Sequence, residues 1–553
     1  MTTSVQKSAA SAHSKKMVED LAEIVGRKYV LNSEPDRLAY GVDCWPRGII
    51  RTRARDLDHH MPAAIVQPAG EHEVVGLVQW ARKTGTPLVP FGAGSGVCGG
   101  TLADETKVIV DVKRMNRIVE TRADDLTVRV QSGAIGMPFE RELDRRGFTL
   151  GHFPSSIYCS SIGGWVAARG AGQFSSLYGK VEDMVSSLRV VTGTGEVLDT
   201  SPDPMADRPR QMAPGAGPDP TQLFVGSEGT LGVLTEVTFN MARRPDHRYY
   251  RGFKFPDIDT ALAAARDMMQ AGLRPAVVRL YDALDTFLHK SGDKSGAERD
   301  DSDIPPKLLT RLRKLAFDSV PDAVTAKVRE QIRKATHAVV GRVLGSPMTI
   351  NSLADVLPAE CLLVVGFEGE SPLVEDEAEY AFDLLSRYGL DLGPEPGLHW
   401  LKNRYSVSYK QSPMFDTGAF VDTMEVSTSW SNVLDLYHSV REAVSPHVVV
   451  LAHFSHVYGH GSSIYFTFSG FGADLDQTLA LYDRTWKDGL DAVAAAGGNI
   501  AHHHGVGQSK APWTHHDHRG GPAAFDALKA AFDPDGIMNP GKVYTEESER
   551  VRK

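Results

Sequence analysis

The sequence predicts an α+β protein of several domains, and three observations carry that prediction. From about Met61 onward, short β-rich runs alternate with helical stretches. Three clusters of glycine and hydroxyl residues fall where such runs or helices meet. Residues 443–473 hold no Asp, Glu, Lys or Arg, and β-branched and aromatic residues dominate their apolar runs at 448–451 and 464–468. Four histidines and several glycines interrupt that stretch, so it reads as two buried strands and not as a membrane span.

A chain of 553 residues, 42% hydrophobic and 24% charged, has material for two to four domains and a large core. A formal charge of -10 gives no global electrostatic reason to bind nucleic acid. The four cysteines, Cys44, Cys98, Cys159 and Cys361, form no CxxC pair, which argues against a disulfide framework or zinc ribbon and for a reducing cytoplasm. The first twenty residues lack the apolar core of a secretory signal, so residues 1–57 read as a helical lead-in.

The first unit is a strand at 63–68, a helix over Glu71–Thr84 and a strand at 87–90 that runs into Phe91-Gly92-Ala93-Gly94-Ser95-Gly96. Small residues at a strand end let backbone N–H groups surround a phosphate. The spacing fits neither the GxGxxG that opens a Rossmann helix nor a Walker A loop. The second cluster runs from Gly151-His152-Phe153-Pro154-Ser155-Ser156 through Ser160-Ser161-Ile162-Gly163-Gly164-Trp165 to Ala168-Arg169-Gly170-Ala171-Gly172. The third is Gly226-Ser227-Glu228-Gly229-Thr230-Leu231-Gly232-Val233. Short hydroxyls supply donors for a pyrophosphate, and paired glycines admit a flat ring close to the backbone, so an extended dinucleotide would use all three.

These motifs, in this order over roughly residues 61–243, resemble the flavoprotein family that includes vanillyl-alcohol oxidase and p-cresol methylhydroxylase. The resemblance implies a two-subdomain FAD-binding lobe (58–242), a large α+β cap (243–500) and a C-terminal segment (501–553) returning to the flavin. Pro90, Phe91, Gly92, Ala93, Gly94, Ser95 and Gly96 would cradle the pyrophosphate. Ser155, Ser156, Ser160, Ser161, Gly163, Ala168, Arg169, Gly170 and Ala171 would line the FAD, and Glu228, Gly229, Thr230, Leu231, Gly232, Val233 and Leu234 would complete the site. Many members tether flavin through a histidine in the first loop. None stands there, so non-covalent FAD is expected.

The run His502-His503-His504-Gly505-Val506-Gly507 is hard to explain by packing. On an extended segment His502 and His504 would share one face and His503 the other, which speaks against one metal held by all three. This run, Arg279-Leu280-Tyr281-Asp282, the stretch from Asp422 to Trp430 that includes Glu425, Tyr458 and Ile464-Tyr465-Phe466 resemble the alkyldihydroxyacetonephosphate synthases. Related 2-hydroxy-acid dehydrogenases carry Glu-His-Gly in place of the triplet and a metal segment with Asp and Asn, which His456-Val457-Tyr458-Gly459-His460 lacks. A site built from His453, His456, His460 and the triplet would have no carboxylate within 443–473, and no metal is expected.

The resemblance implies exchange of an acyl chain for a fatty alcohol in ether-lipid synthesis, through a flavin N5 adduct without net redox. It makes His502, His503 and His504 general base and adduct stabiliser, Tyr458 a proton donor or acceptor, and Arg279 an organiser of the flavin site. Which histidine does what stays open, and an FAD-linked oxidase or dehydrogenase of a 2-hydroxy acid or other alcohol is the alternative. The synthases carry a substrate-binding arginine where this chain has Lys410 and Gln411, and lysine cannot supply the guanidinium fork. Basic, amphipathic stretches between Lys307 and Arg342 are candidates for peripheral contact with an anionic membrane. Family analogy implies a homodimer.

Overall fold

The structure is a computed structural model that describes residues 2–56, 60–201, 217–287, 341, 344–356, 360–406, 412–518 and 520–544. Lys410, Gln411 and most of the basic 307–342 stretch lie outside the described residues.

The glycine-rich half folds as two small sheets and a two-stranded ladder of Phe148–Thr149 with Ala242–Arg243. In the first, Ala64–Val66, Val108–Asp111 and Leu88–Phe91 pair in parallel, and Val30–Leu31 adds an antiparallel edge. The helix Glu71–Thr84 crosses over this sheet. Val74, Leu77, Val78 and Ala81 recur at helical spacing on its buried side, and Gly85 closes it in the left-handed conformation at φ +68°. The second sheet is antiparallel, in the order Ile118–Arg122, Thr127–Gln131, Gly232–Asn240, Val185–Thr192 and Val197–Asp199.

The cap is a seven-stranded antiparallel sheet in the order Leu390–Asp391, His247–Phe255, Cys361–Gly369, Val277–Tyr281, Val449–Tyr458, Gly461–Phe471 and Ala419–Ser429. The two strands read from the uncharged stretch form a long hairpin within it. The helices Ile258–Gln270, Leu373–Ser386, Val433–Val444 and Leu475–Ala495 pack their apolar stripes into one core with this sheet. Among the described residues no helix is long and apolar enough to cross a membrane.

The lead-in is more than a preface to the lobe. Met17, Val18, Leu21 and Val25 enter the core of the first sheet, and Ile50 enters the core of the cap. The C-terminal segment returns along Leu88, whose N–H donates to Ile537 O and whose carbonyl accepts from Asn539 N–H.

Candidate active site

The site begins with an irregularity in the cap hairpin. Ser455 pairs with Ser463 and Val457 with Ser462, so His456 is an extra residue, held at φ +54°. A bulge of this kind re-aims a side chain that regular alternation would send elsewhere. His456 Nδ1 lies 2.7 Å from Ser175 Oγ, and the same hydroxyl is 3.1 Å from Tyr458 OH. Ser175 opens the short helix Ser175–Tyr178 of the glycine-rich half, so one hydroxyl from that half joins a histidine and a tyrosine of the cap.

The histidine triplet faces them. The N–H groups of His502, His503 and His504 all donate to the carboxylate of Glu425, at 2.6, 3.3 and 3.1 Å. Three successive donors converge on one anion only if the backbone curves around it, so the extended alternation expected for this run does not occur. His503 is not turned away from its neighbours: His502 Nδ1 and His503 Nδ1 are 2.9 Å apart, and the His503 and His504 ring centroids are 4.5 Å apart. Tyr465 OH bonds His503 Nε2, and the His456 and His503 centroids lie 4.5 Å apart.

Lys510 Nζ sits 2.6 Å from Glu425 Oε1, with both side chains fully buried. Burial pushes the Glu425 carboxyl up, but Lys510 and His504 outweigh it and hold the group below the usual carboxylate range. The turn beyond the triplet is fastened to the other half: the N–H groups of Val506 and Gly507 donate to Glu228 Oε1 and Oε2. Gly507, at φ +55°, lies so close that a Cβ there would stand 2.1 Å from the Cys98 carbonyl oxygen. One glutamate from each half thus grips the loop.

Burial also sets the protonation of the wall. It lowers His456 to about 3 and His504 to about 4, and it holds His502 and His503 well below the usual imidazole value. Burial raises the Tyr458 and Tyr465 phenols. At neutral pH the wall therefore consists of uncharged imidazoles and phenols in hydrogen-bonded contact, which can pass protons without separating charge.

Arg279 stands behind this wall. Its guanidinium donates to Tyr281 OH at 2.9 Å and Ser455 Oγ at 3.4 Å, and Nη2 is 3.0 Å from His453 Nε2. His453 in turn stacks on Tyr465 at 4.7 Å, so Arg279 positions the wall through His453. Glu425, His502 and His503 bring potential metal ligands within 4.8 Å of one another. The charge of Glu425 is already matched by Lys510, and a dication would have to displace that lysine.

The three glycine clusters meet beside the wall. A Cβ on Gly92 would fall 2.0 Å from Ser161 Oγ, and one on Gly229 would fall 2.8 Å from Pro90 Cγ. Among the described residues, the N–H groups of Ala93, Gly94, Ser95 and Gly96 find no acceptor, and Ser132 Oγ is buried without a partner. Successive backbone donors of this kind have the capacity to receive an anion.

A family model described as the FAD binding domain matches residues 62–201, and one described as the FAD linked oxidases, C-terminal domain, matches residues 244–543. The chain belongs to the FAD-linked oxidase family. It is similar to the alkyldihydroxyacetonephosphate synthase of Dictyostelium discoideum, 29% identical over 92% of this chain and 77% of that one. It is also similar to the uncharacterized FAD-linked oxidoreductase YgcU of Escherichia coli strain K12, 26% identical over 96% of this chain and 98% of that one. A solved alkyldihydroxyacetonephosphate synthase superposes with a TM-score of 0.71 at 26% identity, covering 96% of this chain and 85% of that one. The structure of p-cresol methylhydroxylase, at 15% identity and a TM-score of 0.66 over 96% of each chain, shares the fold.

FAD fits what the glycine-rich half offers in the first loop, whose N–H donors suit its pyrophosphate, while Gly163 is fixed by packing, since a Cβ there would stand 2.8 Å from that of Ser132. Several residues assigned to the cofactor on family resemblance have their side chains engaged elsewhere. Glu228 holds the triplet turn, Ser160 Oγ accepts from Trp165 Nε1 at 2.7 Å, and Leu231 and Val233 are core. Leu234 packs against the core, and Arg169, at φ +52°, lies under Gly226. Sequence reasoning missed Ser175 and the anchoring role of Glu425 and Lys510. A lone glutamate between Met424 and Val426 in an apolar strand was the available signal, because a fully buried acid requires a partner.

Proposed function

We propose that this flavoprotein forms an alkyldihydroxyacetone phosphate, the product named in its synthase relatives, by replacing the acyloxy group of an acyl-dihydroxyacetone phosphate with a fatty alkoxy group. The carbon–oxygen bond to the carboxylate breaks, a carbon–oxygen bond to the alcohol forms, and the alcohol's proton ends on the released fatty acid. No electrons are gained or lost overall. Bound FAD would supply an oxidised, electron-poor ring against which the substrate carbon reacts.

The supporting observation is the uncharged histidine–tyrosine wall. His502, kept neutral by burial, is the member of the triplet we assign as base for a carbon-bound proton beside the ketone, since both ring nitrogens of His503 are engaged, Nδ1 by His502 and Nε2 by Tyr465. Tyr458, linked through Ser175 to His456, can hand a proton to the leaving carboxylate and take one from the entering alcohol. Glu425 is locked to Lys510 and to three backbone donors, so it holds the loop in place and leaves the proton traffic to the imidazoles.

The test is incorporation of labelled hexadecanol into an alkyl ether from acyl-dihydroxyacetone phosphate by FAD-loaded protein. The similarity to YgcU, an FAD-linked oxidoreductase, supports a second reading, net oxidation of the substrate, for which we take a 2-hydroxy acid or other alcohol as the candidate class. Lasting anaerobic bleaching of the flavin near 450 nm by such a compound, reversed by oxygen or a dye, would establish that reading against the exchange.

A further inference from the structure

Arg404 is a cation with no carboxylate partner among the described residues, and it closes the helix Glu395–Asn403 at the seam between the two halves. Its guanidinium carbon lies 5.7 Å from the Phe153 ring centroid, 5.4 Å from Phe174 and 4.6 Å from Tyr405. Nη1 donates to Leu401 O at 3.0 Å and Nη2 to Tyr405 OH at 3.1 Å, while Nε is buried without any partner. Aromatic faces attract a cation but do not consume its N–H donors, so the fork retains bonding capacity.

Two further polar atoms around this cation are buried and unmatched. Gln173 donates through Nε2 to Ser155 Oγ and to the carbonyl of Arg404, and its Oε1 has no partner. Tyr250 OH is likewise unpaired and feels the charge of Arg404. Buried polar groups are normally satisfied, so three unmet atoms around one unneutralised charge point to a missing polar ligand.

Position gives that ligand a role. Phe174, in contact with the guanidinium, directly precedes Ser175, whose hydroxyl bonds both Tyr458 and His456 of the proton-transfer wall. Phe153 and Ser155 belong to the second glycine–serine cluster of the FAD lobe. The cation therefore packs on the ring whose neighbour in the chain, Ser175, bonds the groups that would move protons.

We propose that Arg404 binds the oxyanion of the substrate, with its guanidinium gripping a phosphate or carboxylate and the three aromatic rings keeping water from the pair. This rests on the reading of the histidine–tyrosine wall as the reaction centre. The exchange proposed above further specifies a phosphate monoester, and the two claims can fail separately. An arginine fork hemmed by aromatic rings is pre-organised for such a group.

The test is calorimetric titration of the FAD-loaded protein with dihydroxyacetone phosphate, with uncharged dihydroxyacetone and with D-lactate. Arg404→Met should weaken dihydroxyacetone phosphate roughly tenfold or more, the size of a lost charged hydrogen bond, and leave dihydroxyacetone unchanged. Arg404→Lys, which keeps charge without the fork, should fall between. An unaltered melting curve and flavin spectrum show that the variants are folded. If D-lactate alone shows the dependence on Arg404, the oxyanion site stands and the exchange reaction falls. If neither anion binds Arg404→Met more weakly than wild type, the proposal is overturned.

Discussion

Glu425 is fully buried, and its charge survives because Lys510 and three N–H donors meet it together. Replacing Lys510 by methionine leaves that carboxylate uncompensated, a loss of about 3–5 kcal/mol expected in chemical denaturation. Because its folded pKa is depressed, Glu425 stabilises the protein above the unfolded carboxyl value of about 4.3, and this is lost only in acid, as pH falls through the folded pKa. The histidines also lose stability in acid, but over a higher range. Their folded pKa values are lowered, so the unfolded chain binds protons first, and each costs up to about 1.4 kcal/mol per pH unit below about 6.5. The same lowering predicts that the acid limb of turnover by FAD-loaded protein lies below pH 6.5, toward the His504 value of about 4. An acid limb centred at the ordinary imidazole pKa would contradict a neutral wall.

The loop that carries the triplet depends on glycine geometry as much as on its glutamates. Gly507→Ala would force a Cβ against the Cys98 carbonyl in a left-handed backbone, so the turn must move. We expect loss of activity, a destabilisation of more than about 1 kcal/mol, and faster amide exchange across residues 502–507. Glu228→Gln should produce the same exchange signature more weakly, since one of its two acceptors becomes a donor facing an N–H group. Much of this was open to sequence reading: the helix Glu71–Thr84, the hairpin strands and the glycine clusters all follow from local spacing. The bulge at His456 and the curl of the triplet did not, because each is imposed by contacts from another strand or lobe.

Across the molecule, the lead-in, the FAD lobe, the cap and the C-terminal segment are interlocked. Trp45 Nε1 donates to Tyr482 OH, which donates to Asp422 of the cap's edge strand Ala419–Ser429, while Leu88 pairs with the returning tail. Cofactor binding should therefore stabilise the whole protein, by about 2.7 kcal/mol at FAD one hundredfold above its dissociation constant, read as a raised melting temperature. With no histidine in the first loop, acid precipitation should release all of the flavin into the supernatant, and yellow colour held in the pellet would show a covalent link. The amino-acid order was enough to suggest a dinucleotide cradle and to single out the histidine run, because a phosphate cradle and a close-packed turn make demands on adjacent residues, and the family resemblance of those motifs named FAD. Folding alone brought Glu425 to Lys510, Glu228 to Gly507, Ser175 to Tyr458 and Arg404 to Phe153 and Phe174, because partners tens to hundreds of residues apart leave no mark in spacing.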